Sequence, residues 1–249
     1  MISDEFFSME RLRELCKKEY YNPIQKWMHH TMLYVTRPLL KTNITPNQIT
    51  TFWLILQLIG SGLMIFGFYW TNILGVMLYT IAMLLDYVDG QIARIKKIST
   101  YKGIYLEELG IYFGSPVFFL CLSVGVSRVS GDPRYLLLGV ISAICILYSK
   151  LVQINPLLYS IDKREVLVQL RKKASTRPTN KYVGYAVFLI RRSNPLNLLF
   201  FGILFNVPHW VLIFYTPLYI LELLRKLWVA LKNLYYLDEK NKLEENKLF

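Results

Sequence analysis

Cysteine is scarce in this sequence, and acidic side chains are well outnumbered by basic ones. Three cysteines occur in 249 residues, and 17 Asp and Glu stand against 29 Lys and Arg, a net charge of +12. Cys16, Cys121 and Cys145 have no ligand-like spacing, which excludes a disulfide framework and a zinc site. Met1 to Tyr21 is charged and holds no apolar core before a small-residue cleavage site, so no secretory leader is expected. Internal repeats and low-complexity tracts are missing as well. The polarity of a soluble domain is also lacking: 54% of the residues are hydrophobic and 15% aromatic. Several apolar runs reach membrane-spanning length.

Those runs predict six spans, at about 46–70, 73–94, 103–127, 134–154, 183–205 and 207–228. The basic residues divide sharply around them. Seven precede Pro46, four lie in 94–103, eight in 150–181, two at 191–192 and six from Arg225 onward. Only Arg128 and Arg134 remain for the opposite side. This asymmetry predicts an even number of helices with both termini cytoplasmic. The charge then reads as a topology signal and an attraction to anionic lipid, and nucleic acid is not an expected partner. The whole chain is expected to form one all-α membrane domain. Interfacial helices would occupy 1–45, a six-helix bundle 46–228 and a polar cytoplasmic tail 229–249.

Before the bundle, Phe6, Met9, Leu12 and Leu15/Cys16 recur at helical spacing within 3–20, with Ser3 or Asp4 as the cap. This amphipathic helix is expected to lie in the interface plane rather than cross it. Asn22-Pro23 breaks it, a second short helix runs to Thr36, and Arg37-Pro38 ends that helix. Thr45 then caps the first span, with Pro46 at its first position. The fifth span is interrupted by Arg191-Arg192-Ser193-Asn194-Pro195. Either one helix turns both arginines to the bundle interior, or the helix starts at Pro195 with the arginines at the headgroups. His29, His30 and His209 read as interfacial, since the first two are adjacent and the third is alone.

The second apolar run carries Asp86 and Asp89, three apart and close on one helix face. Buried ionised carboxylates cost several kcal/mol and repel each other, so a cation must offset them. Carboxylate oxygens suit Mg²⁺ or Mn²⁺. Gly90 leaves the helix bare beside the pair, and Ala93 nearly so one turn on. Such a flat patch suits a phosphate ligand, whose charge Arg94 can neutralise. A tight turn at 95–102 would let Glu107, early in the next helix, face the aspartates across two metal ions.

Together, Asp86, Asp89, Gly90, Ala93, Arg94 and, after eight residues, Gly103 resemble the signature of the CDP-alcohol phosphotransferases, D-x2-D-G-x2-A-R-x8-G-x3-D-x3-D. The six-helix topology and the Thr45-Pro46-Asn47 start are similar to that family too. The third acidic position is Glu107, one methylene longer, and the fourth is Ile111.

The resemblance implies transfer of a phospho-alcohol group from a CDP-alcohol to an acceptor hydroxyl, with release of CMP, in phospholipid or related phosphodiester synthesis. It implies two Mg²⁺ or Mn²⁺ ions on Asp86, Asp89 and Glu107. Asn47, Gly90, Ala93, Arg94 and Gly103 would then bind the CDP moiety. The active site would face the cytoplasm of an integral membrane protein. Family members often pair, so a homodimer is among the expected assemblies. In the family the fourth acidic residue takes the acceptor's proton, which Ile111 cannot do. Glu108 is the nearest substitute, about 100° round the helix from Glu107. Lys150, Arg191 and Arg192 would bind a phosphate on the acceptor. The competing readings are a catalytically impaired relative that binds nucleotide or lipid or scaffolds a partner, and a proton or cation path through the intramembrane carboxylates.

Overall fold

The computed structural model describes residues 8–17, 23–98, 100–154 and 197–245. Among them there are eight α-helices and no strand: α1 Met9–Leu15, α2 Pro23–Leu40, α3 Pro46–Leu63, α4 Tyr69–Lys96, α5 Tyr101–Ser130, α6 Arg134–Ile154, α7 Leu198–Leu204 and α8 Pro208–Glu245. Four stretches are long and apolar enough to cross a membrane, namely Pro46–Phe66, Tyr69–Lys96, Tyr101–Ser130 and Arg134–Val152. They match the first four expected spans. The sixth expected span falls within α8, which is not among the four, and most of the fifth lies outside the described residues.

The expected start of α3 is present in full. Thr45 Oγ1 accepts from Gln48 N while Gln48 Oε1 accepts from Thr45 N at 2.9 Å, a capping box with Pro46 at the first position. The helix stops at a 3₁₀ turn, Met64–Phe66, closed by Gly67 in the left-handed region at φ 74°. Two expectations for the N-terminal segment change. The helix there is capped by Ser8, and the proposed caps Ser3 and Asp4 lie outside the described residues. The second helix does not end at Arg37-Pro38 but runs through Pro38 to Leu40. Its missing N–H falls in the last turn, where the Tyr34 position facing it is exposed and the loss is small.

Two buried clusters hold the bundle together. One joins Met64, Tyr79, Phe118, Phe119, Ile203 and Tyr215, from α4 through α8. The other joins Leu12, Cys16, Leu33, Ile49, Trp53, Val88 and Ile92, so it ties α1 and α2 to α3 and the second half of α4. The apolar side of α1 thus faces protein: Leu12 and Cys16 are buried, and the Cys16 thiol donates to the Gln91 carbonyl. Gln91 is itself fully buried, accepting from Thr36 Oγ1 at 2.6 Å and donating to the His29 carbonyl at 2.8 Å. One side chain therefore fastens α2 to the helix that carries the aspartates.

Glycines set how closely the spans approach. Gly60 and Gly75 face each other where α3 crosses α4; a Cβ on Gly75 would lie 2.5 Å from the Gly60 carbonyl oxygen. Along α5, Gly110 and Gly114 form notches filled by Trp53 and Gln57 of α3. Small residues at such crossings let backbones approach where apolar burial alone cannot drive association.

Candidate active site

The ends of α3, α4 and α5 that share the link 97–100 enclose an open pocket. Its wall is Pro46, Asn47 and Thr50 from α3, and Asp89, Gly90 and Ala93 from α4. Ile98 and Thr100 of the link and Gly103, Ile104 and Glu107 of α5 complete it. Backbone chemistry makes the turn between α4 and α5 tight. Lys97 adopts the left-handed conformation at φ 53°, and Ile98 N donates back to Ala93 O at 3.0 Å, closing the end of α4. Thr100 then caps α5, accepting from Gly103 N at 3.0 Å. The same hydroxyl pairs with the Asn47 amide, which donates to it at 3.0 Å. Lys96 Nζ reaches the carbonyls of Thr42 and Ile44, which fixes the approach to α3.

Among the described residues Asp89 is the most enclosed carboxylate, 8% exposed. Its Oδ2 accepts from Thr50 Oγ1 at 2.6 Å and from the Trp53 indole N–H at 2.7 Å. Gly90, beside it, has no packing reason to lack a side chain. The nearest atoms to a Cβ there belong to the Arg94 guanidinium, at 3.6 Å and beyond, which is ordinary contact. Glycine inside a helix costs about 1 kcal/mol relative to alanine. Among the described residues nothing packed at Gly90 requires that cost, and the glycine lies on the pocket wall. Gly103 differs, because a Cβ there would come 2.6 Å from Asn47 Oδ1.

Asn47, Asp89, Gly90, Ala93, Gly103 and Glu107 therefore come together around one cavity. Arg94 stands at its edge, with its guanidinium over Gly90 and beside the Cys16 thiol. Burial pushes that thiol up from the ordinary cysteine range, against the pull of the guanidinium. Asp86 does not line the cavity and is exposed. Three residues of helix leave it about 60° round from Asp89, enough to part the two environments. Glu108 is also exposed and off the wall, and Lys150 lies near the end of α6, away from the wall. Ile111 belongs to α5 but its side chain is outside the described part, and Arg191 and Arg192 lie outside the described residues.

Thr50, Trp53 and Thr100 are the site residues that reading the sequence missed. Asn47, Thr50, Gln57 and Ser61 nevertheless carry a signal, being polar residues at three- to seven-residue intervals in an apolar run. Such spacing marks the side of a membrane helix that faces the bundle.

Among the described residues no three His, Cys, Asp or Glu side chains form a metal-binding group. Two hard oxygen donors, Asp89 and Glu107, do share the pocket. That donor set fits Mg²⁺, which is commonly held by one or two carboxylates plus substrate phosphates and water rather than by an all-protein cage.

The family model of the CDP-alcohol phosphatidyltransferases matches residues 43–232. The chain belongs to this family, whose members transfer phospho-alcohol groups in lipid synthesis, and it is an integral membrane protein. No curated protein gives a significant match to the chain.

Proposed function

We propose that this protein transfers a phospho-alcohol group from a CDP-alcohol to an acceptor hydroxyl and releases CMP, in phospholipid or related phosphodiester synthesis. The observation that carries the proposal is Gly90. It is a helix glycine on the pocket wall beside a buried aspartate, with no packing need for its missing side chain. A pyrophosphate against that bare backbone would use the space.

In this reading Asp89 and Glu107, with Asp86 drawn in from the rim, hold one or two Mg²⁺ or Mn²⁺ ions. The bound metal supplies charge stabilisation to the phosphoryl group and orients it. Gly90 and Ala93 give the donor a flat seat, and Arg94 bonds its phosphate oxygens. Asn47 and Gly103, tied to each other through Thr100, shape the side that takes the cytidine moiety. The acceptor oxygen attacks the phosphorus next to the alcohol, the bond from that phosphorus to the bridging oxygen of the pyrophosphate breaks, and CMP leaves carrying the bridging oxygen. Glu108 takes the acceptor's proton in place of a carboxylate at 111, and Lys150, Arg191 and Arg192 attract a phosphate on the acceptor. The charge asymmetry of the loops supports a pocket on the cytoplasmic face.

Ile111 supports a second reading, a relative that binds CDP-alcohol or nucleotide and turns it over slowly or not at all. Loss of a general base costs roughly 10²–10⁴-fold, which slows such a site without removing the metal's contribution.

The deciding measurement is CMP release by the full chain in nanodiscs from radiolabelled CDP-alcohols, with Mg²⁺ or Mn²⁺ and a panel of acceptors. Metal-dependent CMP is expected from at least one donor, and none from any donor would end the transferase reading. Asp89→Asn is expected to abolish CMP formation; undiminished turnover would remove Asp89 from the metal site.

A further inference from the structure

Trp53 stands between the two carboxylates of the pocket without lining it. Its indole N–H, the only donor on the ring, goes to Asp89 Oδ2 at 2.7 Å. Its six-membered ring fills the notch at Gly110, where even a Cβ would collide with Cη2 and Cζ3. Gly110 lies one turn along α5 from Glu107. The ring is 4% exposed and belongs to the cluster joining α1 to α4. Thr50, also 4% exposed and one turn earlier on α3, donates to the same Oδ2 at 2.6 Å. Its hydroxyl also comes within 3.1 Å of the Pro46 carbonyl, but a single proton goes to the nearer, charged acceptor. Both side-chain donors on Asp89 thus come from α3 and fall on one oxygen, while the Gly90 backbone N–H also bears on the carboxylate.

We propose that Trp53, seconded by Thr50, is a positioning residue that fixes the rotamer of Asp89 and its spacing from Glu107, and so sets the pocket's affinity for a divalent cation. The proposal rests on the metal-dependent reading of the site. A carboxylate held by two buried donors on Oδ2 cannot rotate without breaking both bonds. The ring carries that restraint to α5, because its other edge is fitted into the backbone of the helix bearing Glu107. Donor and wedge are properties of one side chain, so they are separable by substitution. Trp53→Phe removes the donor and keeps much of the wedge. Thr50→Val removes the second donor at nearly constant volume, and Thr50→Ser restores it.

The test is equilibrium binding of MnCl₂ to the purified full chain, read by loss of the free Mn²⁺ resonance. CMP release is followed in parallel across Mn²⁺ concentrations. Trp53→Phe and Thr50→Val are each expected to raise the Mn²⁺ dissociation constant about tenfold, with Thr50→Ser within threefold of wild type. The Mn²⁺ concentration that half-saturates CMP release should rise in step with the dissociation constant in Trp53→Phe and Thr50→Val and return in Thr50→Ser, a shift that a merely structural loss would not produce. Wild-type Mn²⁺ affinity in Thr50→Val together with Trp53→Phe overturns the proposal. If Trp53→Phe fails to fold, the Thr50→Val and Thr50→Ser pair decides alone, equal affinity overturning it. No Mn²⁺ binding by the wild type would overturn it too. Normal Mn²⁺ binding and variant effects without CMP release would sustain it while ending the transferase reading.

Discussion

Gly75 lies where α4 crosses α3 in the packed part of the bundle, and Gly90 lies near the other end of the same helix on the pocket wall. A side chain at the first would strike the Gly60 backbone, while a methyl at the second would meet only the flexible head of Arg94. Two identical residues on one helix therefore answer to different demands. One lets two spans touch; the other keeps a wall bare for something outside the fold. Around Gly75 the neighbours are apolar and belong to the long-range core. On the pocket wall around Gly90 they are polar: Asp89 and Asn47, each held by a hydrogen bond to another element, and Glu107. The lesson is that absence of a side chain is informative only when the surroundings are known.

The strongest way to break this contrast is Gly75→Val. The added atoms would press on backbone at 2.5 Å, where nothing can swing aside, and the overpacking is expected to cost about 3 kcal/mol or more. The monodisperse fraction in size-exclusion chromatography should collapse; wild-type yield would mean that the crossing is not set by the glycines. Gly90→Ala should do the reverse. Its midpoint of thermal unfolding should hold or rise, as alanine gains up to about 1 kcal/mol in a helix. CMP release should fall at least roughly tenfold, because binding energy at the reacting phosphate is lost. Full activity in that variant would place the donor elsewhere.

A second pair of substitutions sharpens the pocket itself. Glu107 lines the wall and Glu108 does not, so Glu107→Gln is expected to weaken Mn²⁺ binding about tenfold while Glu108→Gln leaves that binding unchanged. An effect of Glu108→Gln on CMP release alone would fit a proton acceptor. Ile111→Asp is expected to raise CMP release at least about tenfold where the missing base limits the rate. No gain would put the base elsewhere on the chain.

The smallest expected effect concerns the N-terminal fastening. Cys16 is 1% exposed and its thiol is held protonated above its ordinary range by burial. Alkylation by N-ethylmaleimide at pH 7 should therefore be much slower than in the denatured chain, and Cys16→Ala should cost about 1 kcal/mol. Fast labelling would mean that α1 leaves α4 readily.

The spacing Asp86, Asp89, Gly90, Ala93, Arg94 and Gly103 was enough to point to the family, because those residues sit on two consecutive helix ends and need no distant partner to be recognised. The cap at Thr45-Pro46 was legible for the same reason: its two bonds lie within four residues. Pro38 misled because proline in a helix costs one backbone hydrogen bond without forbidding the helix, and here the helix continues through it for two more residues. Thr50 and Trp53 stayed hidden, although Thr50 belongs to a visible polar spacing on α3. Their role depends on Asp89, which is 39 and 36 residues away.

By itself the sequence determined an all-helical membrane chain, the approximate places of its first four spans and the membership of its signature. Apolar run length, helix caps and short-range spacing are all local quantities. Only the tertiary structure decided which carboxylate is buried, which glycine is a wedge seat and which a bare wall, and which side chains hold Asp89. Those facts depend on contacts between α3, α4 and α5, where helix approach, burial and hydrogen bonding arise from residues far apart in the chain.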